Sequence, residues 1–479
     1  MNVIQRIVKN TSSLFIAQIV VSITSIIFSI FLARKLGDVE FGKYSFALAF
    51  VAFYGIFLDL GYDTLLIRDV ARNKSHASRY LYNILGFRAL SSLFIFIFIV
   101  ITINLMGYPL DTKNAVYLFG IYTIVTALSA VFKITFRAFE RMEYEAGITI
   151  VSNTIRVLLG LLVLLLGFGL IEVAFAFIFS SVFEIFISFY FCQKKFVKEK
   201  SKLEIKFLKS TIKTALPLGM LSIFAIIYVR TDTILLSVMK GDAVVGWYNA
   251  AYSLVMGFKP IPHLFMNALL PLMSYYSVSS IDLLKVVYEK AFKYLLLLGL
   301  PLSMGMFLLA DKIILVFYGQ EYSNAIIALQ ILAWDSVLLF LYGCVAFILV
   351  SIDKQNHMAI IAGLAALINV VLNLILIPSF SYVGSAFATI LAETFLLVSY
   401  FYIASRHFHK LSIYKVAAKP LAACIGMTLC IYLLHDLNLF ILIALGIFIY
   451  FGIFILLKGF SKEDIDSFKR LIRYEKNKN

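Results

Sequence analysis

Apolar runs of about 18 residues or more recur from one end of the chain to the other. A water-soluble fold of this length cannot bury so many of them, and each is long enough to cross a bilayer as a helix. A membrane β-barrel would need segments of about ten residues with alternating polarity, and these runs do not alternate. Spans are expected near 11–33, 44–62, 84–106, 115–136, 146–169, 171–192, 214–238, 245–276, 291–310, 325–350, 358–378, 382–404, 415–434 and 437–457. The eighth is long enough to be broken. Charged residues make up 14% of the chain, against about 25% in soluble proteins. The fold class is an all-α polytopic membrane protein with about 14 transmembrane helices.

The formal charge of +15 raises the question of a nucleic-acid partner. Its distribution excludes one, because Lys and Arg gather in alternate short loops. With the amino terminus inside, roughly 32 basic residues fall on the inner side and 6 on the outer, which makes both termini cytoplasmic. The first apolar run, from about Leu14 to Ala33, is too long for a signal peptide and lacks an A-x-A site. It is expected to remain as the first span, in the cytoplasmic (plasma) membrane. Cys192, Cys344, Cys424 and Cys430 lie in or beside apolar segments with no C-x-x-C spacing, so they read as small buried residues rather than ligands or disulfides. In "SKLEIKFLKSTIK" (201–213), Leu203, Phe207, Leu208 and Ile212 share one side among lysines. Either a helix on the membrane surface or a solvated basic loop fits it, and the tail segment "KEDIDSFKRLIRYEK" is similar.

Residues 37–47, "GDVEFGKYSFA", return as "GDAVVGWYNAA" at 241–251. Gly37, Asp38, Gly42, Tyr44 and Ala47 match Gly241, Asp242, Gly246, Tyr248 and Ala251. Six spans precede the second copy, an even number, so the two halves run the same way through the membrane as a parallel repeat. The expected organisation is an N-terminal six-helix lobe (1–192), a basic linker (193–213) and a C-terminal six-helix lobe (214–404). Two further helices (405–457) and a basic tail (458–479) follow.

Within the seventh span, "YVRTDTILL" places Arg230 and Asp232 two residues apart. On a helix they diverge by about 200° and cannot pair. The repeat aligns them with Ile26 and Phe28, so the fold does not demand charge there and function is the better suspect. A charge near the bilayer centre costs roughly 2.5–3.5 kcal/mol. Other basic residues at depth are Arg156, Arg88 and Lys259, and the acidic ones are Asp59, Glu184, Asp232, Asp335 and Glu393. They either pair between helices, Arg156 with Glu184 for example, or line a wet cavity that receives an anionic head group. In the second case the acids hold the bases in place or carry a coupling ion. Five prolines (Pro217, Pro260, Pro262, Pro271 and Pro301) lie in spans seven to nine and permit kinks there, and His263 sits among them. Tyr54, Tyr228 and Tyr252 either stack on sugar rings or simply pack. The sequence contains no phosphate-binding Gly-rich loop, no H-E-x-x-H and no nucleophile elbow, which favours a transporter over an enzyme.

"FRAFERMEYEAGITIVSNTIRVLLGLLVL" (136–164), "KLGDVEFGKYSFALAF", "LDLGYDTLLIRDVAR" and "INVVLNLILIPSFSYVGSAFATILAET" (368–394) resemble the matching segments of Wzx-type polysaccharide flippases. Tyr382-Val383 stands where the family often carries a Gly-containing turn. The resemblance implies the multidrug/oligosaccharidyl-lipid/polysaccharide exporter fold, two lobes around a V-shaped cavity. It also implies movement of a polyprenyl-phosphate- or diphosphate-linked oligosaccharide from the inner to the outer leaflet by alternating access. Cavity arginines would hold the phosphates, which maps onto Arg230 and Lys259, then onto Arg34 and Arg88. Membrane lipids, H+ or Na+ as coupling ion, and glycan-assembly enzymes are the implied partners, and no cofactor is implied. The rival readings are a drug or cation antiporter of the same superfamily, a membrane-embedded glycan polymerase or ligase, and a scaffold without transport. The short outer loops disfavour the polymerase or ligase.

Overall fold

In a bilayer every backbone N–H and C=O must be satisfied within the protein, and a helix does this inside a single segment. The computed structural model describes residues 3–197, 199 and 201–460, and among these it contains fifteen α-helices and no strand. The helices are α1 (Val3–Gly55), α2 (Tyr62–Arg72), α3 (Ala77–Leu105), α4 (Leu110–Ala138), α5 (Met142–Leu165), α6 (Leu170–Lys195), α7 (Ile205–Lys240) and α8 (Asp242–Met256). They continue as α9 (Pro260–Ser279), α10 (Ile281–Leu308), α11 (Ala310–Phe317), α12 (Ala325–Ser351), α13 (Gln355–His407), α14 (Ile413–Leu433) and α15 (Leu439–Leu456). Eleven helical stretches are long and apolar enough to cross a membrane.

Two of those stretches are double. Helices α1 and α13 have 53 residues each and break once, at Gly37 (φ 79°, ψ 174°) and at Ser381 (φ 54°, ψ −138°). Helix α1 turns back on itself. Asn10 donates to the Glu140 carbonyl at the finish of α4, Lys43 bonds Asp111 at the start of α4, and the Leu58 carbonyl lies near Ala127 through Arg88. Helix α13 does the same, since the rings of His357 and His407, near its two ends, are 5.8 Å apart. Helices α8 and α9, interrupted at Gly257–Lys259, form one crossing, the expected broken eighth span. The total is then fourteen crossings. Helix α1 packs with α3 to α6 in one half. Helices α7 to α13 form the other half, and α14 and α15 pack on α10.

The segment 201–213 does not form a helix of its own. Helix α7 begins at Ile205 and runs on without interruption into the seventh span. Its apolar face, which would meet lipid on one reading and water on the other, packs on protein instead. The Phe207 ring lies 4.9 Å from that of Tyr80, Tyr62 donates to the Leu208 carbonyl, and Arg79 pairs with Glu204. An amphipathic pattern records that a face is covered without recording what covers it. The tail segment lies outside the described residues. Helix α2, which also packs on α7, and the short α11 were not anticipated.

The halves meet where the repeated motif lies. Gly37 and Gly241 take the same left-handed, extended conformation (φ 79° and 88°, ψ 174° and 177°) that side chains rarely adopt. One turn further on, the contacts are reciprocal. A Cβ on Gly42 would lie 1.8 Å from the Asp242 carbonyl oxygen, and one on Gly246 would lie 2.2 Å from that of Asp38. Trp247 closes the seam by donating to Asp38 Oδ2 at 2.8 Å. Nearer the other end, Gly61 of the first half abuts Ala215 and Gly219 of α7, again backbone against backbone. The V-shaped opening implied by the resemblance is thus pinched at two levels here.

Candidate functional site

Arg230 and Asp232 do part company on α7, as their spacing requires. Asp232 is buried and points into the second half. Its Oδ2 accepts from Tyr248 (2.7 Å) and Thr389 (2.8 Å), and its Oδ1 accepts from Asn373 (2.8 Å). Ser385 donates to Asn373 Oδ1 in turn. The carboxylate therefore ties α7 to α8 and to both arms of α13 through neutral donors, with no ion-pair partner among the described residues. Such bonds to a charged acceptor are worth more than neutral ones. Asp232→Asn turns one acceptor into a donor facing donors. It is expected to destabilise the second half by about 2 kcal/mol, measurable as a lower thermal midpoint in detergent.

Arg230 occupies the other face of α7. Its Nε is buried without a hydrogen-bond partner, and Tyr44 and Tyr252 lie within electrostatic reach. Tyr44 comes from the second arm of α1, so Arg230 faces the opposite half. On that side stands Arg156 of α5. It donates to the Tyr122 hydroxyl at 2.6 Å and to Asn153, which is itself anchored to Thr24, and its guanidinium lies 5.3 Å from the Phe177 ring centroid. Tyr44 is within electrostatic reach of both arginines. Two guanidiniums, one from each half, therefore flank one tyrosine, and neither has a carboxylate partner among the described residues.

The Arg156–Glu184 pair, one example of pairing between helices, does not form. Glu184 bonds Lys133 and accepts from Ser129 at 3.1 Å, because both of those residues lie on the face of α4 that packs on α6. Arg88 is also spent inside its own half. It is 1% exposed and reaches Asp59 and Asp63 together with the carbonyls of Leu58 and Ala127. Arg34 is exposed and donates to the Val316 carbonyl at 3.3 Å, bridging the halves away from the arginine pair. Tyr54 donates to Thr102 and reads as packing.

Lys259 is exposed at the break between α8 and α9, with Asp335 and Glu393 within electrostatic reach behind it. Asp335 is 0% exposed, and neither of its carboxylate oxygens has a hydrogen-bond partner among the described residues; nor has Glu393 Oε2. Tyr228 lies beside this pair. Among the described residues no cluster of His, Cys, Asp and Glu has the makings of a metal site. Tyr44, Tyr122, Asn153, Asn373 and Thr389 were not singled out from sequence. A signal existed for two of them: Tyr44 belongs to the repeat, and Asn373 follows Asn369 by one helical turn in an otherwise apolar run.

Comparison with known proteins adds a family. The profile of the family described as polysaccharide biosynthesis protein matches residues 7–277, and that of MatE matches residues 217–375. The uncharacterized membrane protein MJ1068 of Methanocaldococcus jannaschii is 31% identical over 102 residues, 21% of this chain and 20% of that one. The probable low-salt glycan biosynthesis flippase Agl15 of Haloferax volcanii is 31% identical over 97 residues, 20% of this chain and 21% of that one. The matched segments thus span about a fifth of these relatives' length. Among solved structures, the lipid II flippase MurJ in an inward closed conformation superposes with a TM-score of 0.77 at 18% identity, covering 92% of this chain and 97% of MurJ. An inward-facing multidrug resistance MATE family transporter of the MOP superfamily gives 0.64 at 16% identity, covering 81% and 95%. At these identities the likeness is one of fold.

Proposed function

The chain belongs to the polysaccharide biosynthesis protein family, whose profile covers more than half of it, and from that premise we propose that it is a flippase. Its cargo is a polyprenyl-phosphate- or diphosphate-linked oligosaccharide, moved from the inner to the outer leaflet by alternating access for cell-surface polysaccharide or glycan assembly. The observation that carries this reading is the pair Arg156 and Arg230, charges held at depth on opposite halves without carboxylates to neutralise them. An uncompensated guanidinium in a membrane is expensive unless a ligand uses it, and guanidinium is the group best matched to phosphate. Tyr252 and Tyr44 beside the arginines are assigned to the adjoining sugars through their hydroxyls, since their rings pack on Tyr248 and on Phe41, Phe119 and Phe177. The lipid tail remains in the bilayer while the head group passes between the halves.

Lys259 is a third cation for the head group, its charge shared with Asp335 and Glu393. Those two acids and Asp232 are the groups that would take H+ or Na+ as the coupling ion. The basic residues gathered on one side favour cytoplasmic termini, and the proposed location is the plasma membrane. A second reading, cation or drug antiport, is favoured by the buried carboxylate of Asp335, neither oxygen of which has a hydrogen-bond partner among the described residues, and by Glu393 beside it.

The deciding measurement is flipping in proteoliposomes. Lipid-linked oligosaccharide is placed in one leaflet, and its exposure to an impermeant sugar-modifying reagent is followed. Wild type should expose it, and Arg230→Ala and Arg156→Ala should each slow exposure about tenfold or more, the loss of one charge-assisted phosphate contact. Arg230→Lys should fall between. Protein-dependent efflux of an organic cation without any exposure of lipid-linked sugar would select the antiporter instead.

A further inference from the structure

The two arms of α13 lie side by side where the helix begins and ends, and a cleft of about 660 Å³ runs between them. On the first arm its wall is His357, Ile361 and Leu364; on the second it is Phe395, Val398, Tyr402 and Arg406, with His407 alongside. These spacings, i, i+4, i+7 and i, i+3, i+7, i+11, each describe a single face of a helix. The chemistry changes along the cleft. Arg406 and both histidines are at the mouth, and the remaining shaft, roughly 16 Å long from Phe395 to Arg406, is apolar.

Nothing among the described residues roofs the cleft. Val398 is 60% and Tyr402 62% exposed. Arg406 is exposed and has no hydrogen-bond or ion-pair partner among the described residues. An open cation at the mouth of an apolar shaft that runs along a membrane helix matches one kind of molecule. A soluble anion has no use for the shaft, and a zwitterionic lipid gains little from the mouth.

We infer that this cleft binds an anionic phospholipid, its phosphate on Arg406, His357 and His407 and one acyl chain along Leu364, Phe395 and Val398. Basic mouths between transmembrane helices recognise anionic head groups in this manner. The site is separate from the arginine pair and does not depend on the flippase reading. Its occupant holds the arms of α13 together at the end remote from Ser381, while the Asp232 network holds them nearer the break.

The test is native mass spectrometry of the full-length protein in detergent, titrated with phosphatidylglycerol or phosphatidylcholine. Phosphatidylglycerol should be retained preferentially and should raise the thermal midpoint. Arg406→Ala should weaken retention roughly fivefold, the effect of one interfacial cation. Val398→Trp, which fills the shaft and keeps the charge, should remove binding. Lys410→Ala, a cation at the same end outside the cleft, should leave it unchanged. Equal retention of phosphatidylcholine, equal loss with Lys410→Ala, or displacement by millimolar inorganic phosphate would each overturn the assignment.

Discussion

Arg88→Ala destabilises the first half of the protein by about 3–5 kcal/mol, because it leaves Asp59 and Asp63 facing each other without a counter-charge. Both acids are partly exposed, with side-chain accessibilities of 30% and 25%. The lower end of the range is therefore expected where detergent and water reach them. The loss is more than electrostatic. Arg88 also holds the carbonyls of Leu58 and Ala127, and so fixes the turn in which Leu60 (φ 47°) and Gly61 (φ 88°) adopt left-handed backbone. That turn is what meets α7. Thermal unfolding in detergent should show a large drop for Arg88→Ala. Arg88→Lys should recover part of it, since charge is restored but not the fork that reaches four acceptors. Arg88→Ala combined with Asp63→Asn should be more stable than Arg88→Ala alone. No drop in Arg88→Ala would show that neither the two acids nor the two carbonyls depend on the guanidinium.

Gly42→Val and Gly246→Val are the second pair of large effects. The obstacle each new side chain meets is backbone, the carbonyl of Asp242 or Asp38, which cannot swing aside. Overpacking of this kind costs about 1–3 kcal/mol, and the upper end is expected here. The two variants should behave alike, because the contact is reciprocal. The closed arrangement of the seam is what the valine opposes, so Ser237, buried beside it and bonded to Tyr108, becomes the reporter. A cysteine at Ser237 should resist an impermeant maleimide in the parent and react in Gly42→Val. Protection that persists in both variants would show that the seam can part and re-form around the extra bulk.

Much of this architecture is legible in the sequence, because membrane crossing is written in run length. The repeat is legible too, down to the glycines that meet at the seam. Arg230 stands out by its cost alone. What the sequence hides is which residues meet. Arg156 and Glu184 are both deep and opposite in charge, yet each faces a different neighbour, since helical spacing sets angle and not contact. The donors around Asp232 come from 16, 141 and 157 residues away. Asp63, a partner of Arg88, escapes notice because it stands in the first turn of the polar helix α2 rather than in an apolar run. The basic stretch before α7 misleads for a related reason: an amphipathic face looks the same whether lipid or protein covers it.

The reciprocal contact of Gly42 with Asp242 and of Gly246 with Asp38 has the form of an isologous interface, the same patch presented by both partners about a two-fold axis. Within one chain it is the contact that a six-span half would make with its own copy through this patch. In such a dimer any residue added to one face is added to both. A single chain is free of that constraint, and its Arg230 and Asp232 stand opposite Ile26 and Phe28. The glycines that meet at the seam are present in both halves, while the charge stands on one half alone.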